Sequence, residues 1–156
     1  HQLVAGAVSV DLFALVHEIW HPHTVQAEAR QLKVQWKLTP ATVVADPALL
    51  RSVLGNLFEN AVDYAAAGGE IEISLDVTGP EARVRVANTV ENLGADDVAK
   101  MFDRFWRKEE ARSGGKHFGL GLSLARMFAE AMGWKLTAAL DARGRLEITL
   151  AGPVQG

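Results

Sequence analysis

The chain has 156 residues, of which 49% are hydrophobic, and its formal net charge is −3. This length and apolar content predict one globular domain over residues 1–156 with a sizeable core. The small net charge indicates neither a nucleic-acid nor a membrane partner, and the lack of cysteine excludes disulfides and thiolate metal sites. The first apolar stretch, 3–10, is far shorter than the ~20 residues of a spanning helix. We therefore expect a soluble piece and, since it begins at His1 and not at methionine, one cut from a longer protein.

The first part of the chain predicts one long helix followed by two short strands. Between 11 and 32 the apolar residues recur at helical spacing, and Pro22 is expected to kink or split that helix. Residues 33–38 alternate between polar and apolar side chains like a short strand, and 42–45 predict another.

A second helix is predicted to begin at Asp46 and Pro47, because a carboxylate cap followed by proline at the first helical position is typical of a helix start. It is expected to continue to about Ala66 and to end at the glycine pair 68–69.

The remaining pattern alternates hairpins and helices. In order, it predicts a hairpin over 71–86, a short helix over 95–102, a basic segment without periodicity over 103–118, a helix over 120–132 that stops at Gly133, and a final hairpin over 136–150. Helices packed on one face of a mostly antiparallel sheet make an α+β two-layer sandwich.

The second helix carries a stripe of polar side chains beside its apolar face. Asn56 and Asn60 are four residues apart and share this stripe with Asp63. Two amides at the edge of a core can coordinate magnesium or bind phosphate, and Tyr64, one turn beyond Asn60, can stack on a base. The alternative is an amphipathic helix whose amides face water.

A glycine-rich segment, 114–122, leads directly into the last helix. Its glycines let the backbone approach a ligand, and the helix start offers free amides to an anion. Lys116 and His117 add positive charge beside them. The alternative is a flexible loop that is rich in glycine by chance.

The segment 101–108 combines aromatic and basic side chains. Phe102 and Phe105 can anchor it on the core, while Arg104 and Arg107 are suited to phosphate oxygens. The alternative is an ordinary solvated basic loop.

In chain order, the polar stripe of the second helix, the segment 101–108 and the segment 114–122 resemble the asparagine box, the phenylalanine box and the second glycine box of the sensor histidine kinases. The resemblance covers nearly the whole chain. It implies the Bergerat ATP-binding fold, shared with gyrase and the heat-shock chaperone ATPases, in which a mixed, mostly antiparallel sheet carries about three helices on one face. It also implies ATP and Mg²⁺ as ligands and an ATP lid at about 103–118.

The resemblance implies a role for individual residues. Asn60 is similar to the magnesium-binding asparagine, with Asn56 beside it near the phosphates, and Tyr64 resembles the adenine-stacking position. Arg107 resembles the lid arginine near the γ-phosphate, with Arg104 in support. Further nucleotide contacts are implied for Asn88, Lys108, Lys116, His117, Gly119, Leu120, Gly121 and Leu122.

Two positions depart from the family pattern. The first glycine box, normally Asp-x-Gly-x-Gly, is replaced by residues 88–92, which contain neither the aspartate nor the glycines. With Asn88 at the place of the aspartate, we expect weaker ATP binding and less selective base recognition. The alternative is that Asn88 caps the turn at Thr89 and does not touch the base. The other departure is Asp63, where many members carry a lysine; an acid there repels phosphate unless it lies far enough away or helps to hold a cation.

The function implied is transfer of the γ-phosphate of ATP to a histidine on a separate dimerisation and phosphoacceptor domain, with a response regulator downstream. Related ATPases have a water-activating glutamate at the position of Asn56, and an asparagine cannot act as that base. This favours a kinase over an ATPase. The implied setting is the cytoplasmic part of an inner-membrane-anchored bacterial sensor, without direct membrane or nucleic-acid contact. The alternative is a degenerate, non-catalytic domain that regulates through protein contacts.

His17, which is followed by an acid and later by Pro22, superficially matches the family's phosphoacceptor box. The phosphoacceptor histidine normally lies much farther upstream of the asparagine box. We therefore interpret His17 and His21 as partly exposed helix residues.

Overall fold

The fold was analysed in a computed structural model, which describes residues 6–103 and 121–156. The elements in chain order are β1 (Val8–Asp11), α1 (Leu12–Trp20), a 3-10 turn (His21–His23), α2 (Thr24–Ala29), β2 (Lys33–Leu38), β3 (Thr42–Ala45), α3 (Pro47–Tyr64), β4 (Glu70–Thr78), β5 (Glu81–Asn88), α4 (Ala95–Lys100), α5 (Gly121–Ala131), β6 (Lys135–Leu140) and β7 (Leu146–Pro153).

The main sheet has five strands in the order β2-β4-β5-β7-β6. Only the β2–β4 pair is parallel among the pairs of this sheet, and the other three pairs are antiparallel. Alternate residues of β4, β5 and β7 are buried, as expected for a sheet covered on one face. The helices pack on that face, and the opposite face carries ion pairs such as Arg145–Glu72 (2.9 Å). The predicted α+β sandwich with a mixed, mostly antiparallel sheet is confirmed.

The predicted break at Pro22 is confirmed, because the first helix divides there into α1, a 3-10 turn and α2. Two residues of the predicted apolar stripe are placed wrongly: Val25 is 77% exposed, and Ala29 is exposed as well. The turn between α1 and α2 rotates the second helix, so a single helical period across Pro22 does not describe both. His17 and His21 are exposed, as predicted. In the described part of the chain, no helix is long and apolar enough to cross a membrane.

Helix α3 begins as predicted and ends earlier than predicted. The carboxylate of Asp46 accepts hydrogen bonds from the amides of Ala48 and Leu49, which caps the first turn. The last helical residue is Tyr64, since Ala65 is extended (φ −62, ψ 137). The glycine at 68 does adopt a left-handed conformation, φ 77, but it shapes the loop beyond the helix and does not cap it.

A small second sheet was not predicted. Strand β1 pairs antiparallel with β3. Near the C-terminus, Val154 also forms a bridge with Val43 of β3. Strand β1 was missed because Gly6 and Ser9 interrupt its apolar pattern. Strand β1 and the bridge at Val154 could therefore not be assigned from local sequence alone, because each depends on a distant partner.

Candidate functional site

The polar stripe of α3 lies in the interior of the molecule. Asn60 is 5% exposed and Asp63 is 7% exposed, whereas Asn56 is only half-buried. The alternative in which these amides face water is therefore wrong for Asn60. Neighbouring buried positions of the helix, such as Leu57 and Ala61, belong to the hydrophobic core. The stripe is thus the polar edge of a buried helix face.

The amide nitrogen of Asn60 has no hydrogen-bond partner among the described residues. Leaving a buried donor unpaired costs about 1–3 kcal/mol, so such groups are rare in folded proteins. A bound ligand can supply the missing partner. Asn60 therefore fits a site in which an acceptor such as a phosphate oxygen pairs with the nitrogen, while the side-chain oxygen is the atom that can ligate a cation.

Asn88 is buried at the end of β5, 1% exposed, and so shares the inner face with Val84 and Val86 as the alternation predicts. Its side-chain nitrogen donates to the carbonyl oxygen of Thr89 at 3.0 Å. The same carbonyl accepts from the amide of Ala66, also at 3.0 Å. Asn88 is thereby held beside the C-terminal end of α3. Turning the amide over would set two oxygens against each other, so this contact favours the orientation in which the nitrogen faces Thr89.

The turn at 88–92 keeps a glycine-like conformation without its glycines. Asn92, at the place of the second glycine, has φ +57, which asparagine tolerates better than most other residues. Val90 and Leu93 pack against the core on either side of it. The loss of the glycines therefore does not remove the left-handed residue from this turn, and aliphatic contacts hold the turn on the core.

Thr89 joins this turn to the loop after α3. Its hydroxyl oxygen accepts from the amide of Glu70 at 3.1 Å. A β-carbon at Gly69 would lie 1.9 Å from that oxygen, so glycine is required there for the close approach. The end of α3, the loop that follows it and the end of β5 consequently form one tightly connected corner of the site.

His23 is a half-buried neighbour of α3 that the sequence did not single out. Its ring lies 5.8 Å from that of Trp20 and 6.2 Å from that of Phe58. Burial lowers the pKa of His23 below 6.5, and the charges of Glu59 and Asp63 oppose this shift. Its position was not predictable because it depends on the packing of the 3-10 turn (His21–His23) against α3.

The start of α5 contributes Gly121 and Leu122. Leu122 is 8% exposed and belongs to the core, so only its backbone is available to a ligand. Phe102 packs partly against the core, and its ring lies 4.5 Å from the guanidinium of Arg126 on α5. The predicted anchoring role of Phe102 is thus supported by its contacts.

The remaining predicted site residues lie outside the described residues. They are Arg104, Phe105, Arg107, Lys108, Lys116, His117, Gly119 and Leu120, together with the lid predicted at about 103–118 apart from Asp103.

Comparison with known proteins identifies the family. A family model described as "Histidine kinase-, DNA gyrase B-, and HSP90-like ATPase" matches residues 45–155. The chain belongs to this family. The match extends from the cap of α3 to the end of β7. It therefore includes Asn60, Asn88, the turn at 88–92 and α5. The family is one of ATP-binding domains.

Curated relatives are sensor kinases. The chain is 34% identical over 119 residues to the sensor histidine kinase GlrK of Escherichia coli (strain K12), which covers 76% of the chain and 25% of GlrK. It is 31% identical over 150 residues to the signal transduction histidine-protein kinase BaeS of the same strain, covering 94% of the chain and 32% of BaeS. The chain thus spans about a quarter to a third of these relatives.

Solved structures share the fold. The catalytic domain of histidine kinase ThkA matches with a TM-score of 0.80 at 21% identity, covering 94% of this chain and 96% of that one. The mycobacterial sensor histidine kinase MprB matches with a TM-score of 0.78 at 18% identity, covering 96% and 98%. A structure of ThkA in complex with the response regulator TrrA matches with a TM-score of 0.78 at 20% identity, covering 96% and 42%.

Proposed function

We propose that residues 1–156 form one domain that binds Mg-ATP and donates the γ-phosphate to a histidine on a separate dimerisation and phosphoacceptor domain. The observation that carries the proposal is the buried amide of Asn60, whose nitrogen has no partner among the described residues. It lies on α3, within the region that matches the ATPase family. A phosphate oxygen can accept a hydrogen bond from this nitrogen, and the oxygen of the same amide is the atom that can ligate magnesium.

In this proposal Asn60 holds magnesium, which neutralises phosphate charge when it is bound. Asn56 lies one turn earlier, near the phosphates, and cannot act as a general base for water. Tyr64 and Asn88 contact the base from the corner formed by α3 and β5. The start of α5 at Gly121 presents backbone amides to the phosphates. Phosphate contacts are also proposed for Arg104, Arg107, Lys108, Lys116, His117, Gly119, Leu120 and Leu122.

The proposed partners follow from the relatives. GlrK and BaeS carry the names of sensor and signal transduction kinases, and the ThkA complex contains a response regulator. We propose a phosphoacceptor domain as the direct partner, a response regulator as the next acceptor, and a position on the cytoplasmic side of an inner-membrane-anchored sensor. No nucleic acid takes part in this scheme.

A non-catalytic domain that regulates through protein contacts is the second candidate, and the lost first glycine box favours it. The left-handed Asn92 weakens this argument, because the turn keeps the conformation that a glycine would supply.

Transfer of the γ-phosphate tests the proposal. The protein is incubated with Mg²⁺ and ATP labelled at the γ-phosphate, alone and with a sensor-kinase phosphoacceptor domain supplied by fusion or in trans. We expect label on the acceptor histidine and none on the protein alone. Label that stays on the protein alone and is lost in His17→Ala would make His17 the acceptor. Nucleotide binding without transfer in either arrangement would favour the second candidate.

A further inference from the structure

The C-terminal end of α3 is held by a side chain from a different helix. Nη1 of Arg30, the residue that follows α2, donates to the carbonyl oxygen of Val62 and, at 3.3 Å, to that of Asp63. The last carbonyls of a helix have no intrahelical donor. Here the amide of Ala66, which would be the donor for Val62, bonds instead to Thr89. Arg30 therefore supplies the donors that this helix end lacks.

Arg30 is also fixed through its own backbone. Its amide donates to the carbonyl of Gln26 at 3.1 Å, and its carbonyl accepts from the amide of Gly68 at 3.0 Å. One residue thus joins α2, the last turn of α3 and the loop beyond α3. Its positive charge also lies at the negative end of the dipole of α3, which strengthens both side-chain bonds.

The turn that Arg30 holds carries the site side chains. Val62 and Asp63, whose carbonyls accept from Arg30, lie between Asn60 and Tyr64 in the last turns of the helix. The amide nitrogen of Asn60 has no partner among the described residues. Because no hydrogen bond holds this nitrogen, its position depends on the backbone of α3. A displacement of a binding group by about 1 Å is enough to impair a site.

We propose that Arg30 is a positioning residue for nucleotide binding, which fixes the last turn of α3 in the conformation that receives ATP. This inference rests on the proposed function. Arg30 does not touch the nucleotide in this account. It acts through the backbone of α3 and through the loop at Gly68, and its loss loosens both.

The test compares three variants with the parent at a temperature where all are folded. Arg30→Met removes the donors and the charge but keeps most of the aliphatic chain, and Arg30→Lys restores the charge and one donor. Arg83→Met is the matched control, because Arg83 pairs with Glu81 on the sheet face opposite the helices. The Kd for Mg-ATP is measured by calorimetry, and amide hydrogen exchange is followed across 60–68.

We expect Arg30→Met to raise the Kd about five- to tenfold, which corresponds to the net contribution of about one ordinary hydrogen bond. Exchange at Ala65 and Ala66 should accelerate in the same variant, Arg30→Lys should recover part of both effects, and Arg83→Met should change neither. A role limited to stability would leave the Kd of the folded protein unchanged.

The outcomes separate the two proposals. A parent that binds Mg-ATP and a folded Arg30→Met that binds equally well would overturn the positioning role alone. A parent that does not bind Mg-ATP would overturn the proposed function and the positioning role with it. If Arg30→Met does not fold, Arg30→Lys decides, because an unchanged Kd and unchanged exchange in that variant would contradict the inference.

Discussion

Replacing Asn60 by alanine separates what the buried amide does for folding from what it does for binding. The parent buries the amide nitrogen without a partner among the described residues. Removing such a group recovers about 1–3 kcal/mol of desolvation free energy. The small cavity left by the side chain costs a similar amount, so the two effects oppose each other. We therefore expect the free energy of unfolding without nucleotide to change by about 1 kcal/mol or less.

The effect on binding should be much larger. At a nucleotide concentration about 100-fold above the Kd, a ligand that binds only the folded state stabilises it by about 2.7 kcal/mol. For a chain of this size that corresponds to an increase in Tm of about 5–10 °C. Asn60→Ala should lose most of the increase that Mg-ATP produces in the parent.

Thermal unfolding with and without Mg-ATP measures both effects. Ser52→Ala is the matched control, because Ser52 is an exposed residue of the same helix. It should keep the full nucleotide-dependent increase in Tm. An Asn60→Ala protein that is stabilised by Mg-ATP as strongly as the parent would refute the assignment of Asn60. A loss of more than about 3 kcal/mol without nucleotide would show that the amide serves the core.

Three further predictions concern the fold and the base. Gly152→Ala should cost about 1–3 kcal/mol in urea unfolding, since its β-carbon would lie 2.0 Å from the ring of Trp134; an unchanged midpoint would contradict this. The hydrogen bond from Arg145 holds the pKa of Glu72 below 4.5 against the effect of burial. The stabilisation that this ion pair provides should be complete above pH 4.5 and decline as the pH falls through the lowered pKa of Glu72. A Glu72→Gln protein that loses as much stability on acidification as the parent would contradict this prediction. Asn88→Asp should bind ATP several-fold more tightly and discriminate more strongly against GTP in calorimetry, while losing stability because a carboxylate then faces the Thr89 carbonyl; unchanged affinity and selectivity would exclude Asn88 from base recognition.

The sequence predicted the elements whose signals are local. The cap at Asp46 and the alternation of β4 and β5 are properties of neighbouring residues, and the structure confirms them. The end of α3 was misplaced because it depends on Arg30 and on Thr89, which meet the helix only in the folded chain.

The site was predictable in its residues but not in its packing. The spacing of Asn56 and Asn60 placed both on one stripe, yet only the structure distinguishes the buried Asn60 from the half-buried Asn56. Likewise, the pattern at 88–92 indicated a lost glycine box, whereas the left-handed conformation of Asn92 became evident only from the backbone. Burial and backbone conformation result from contacts between distant segments, which periodicity does not encode.

Titration calorimetry of ATP with and without Mg²⁺ tests whether the domain binds Mg-ATP. We expect saturable binding of one nucleotide per chain in the presence of Mg²⁺, and much weaker binding when the metal is removed by a chelator. The absence of ATP binding in the presence of Mg²⁺, by a protein shown to be folded, would contradict it.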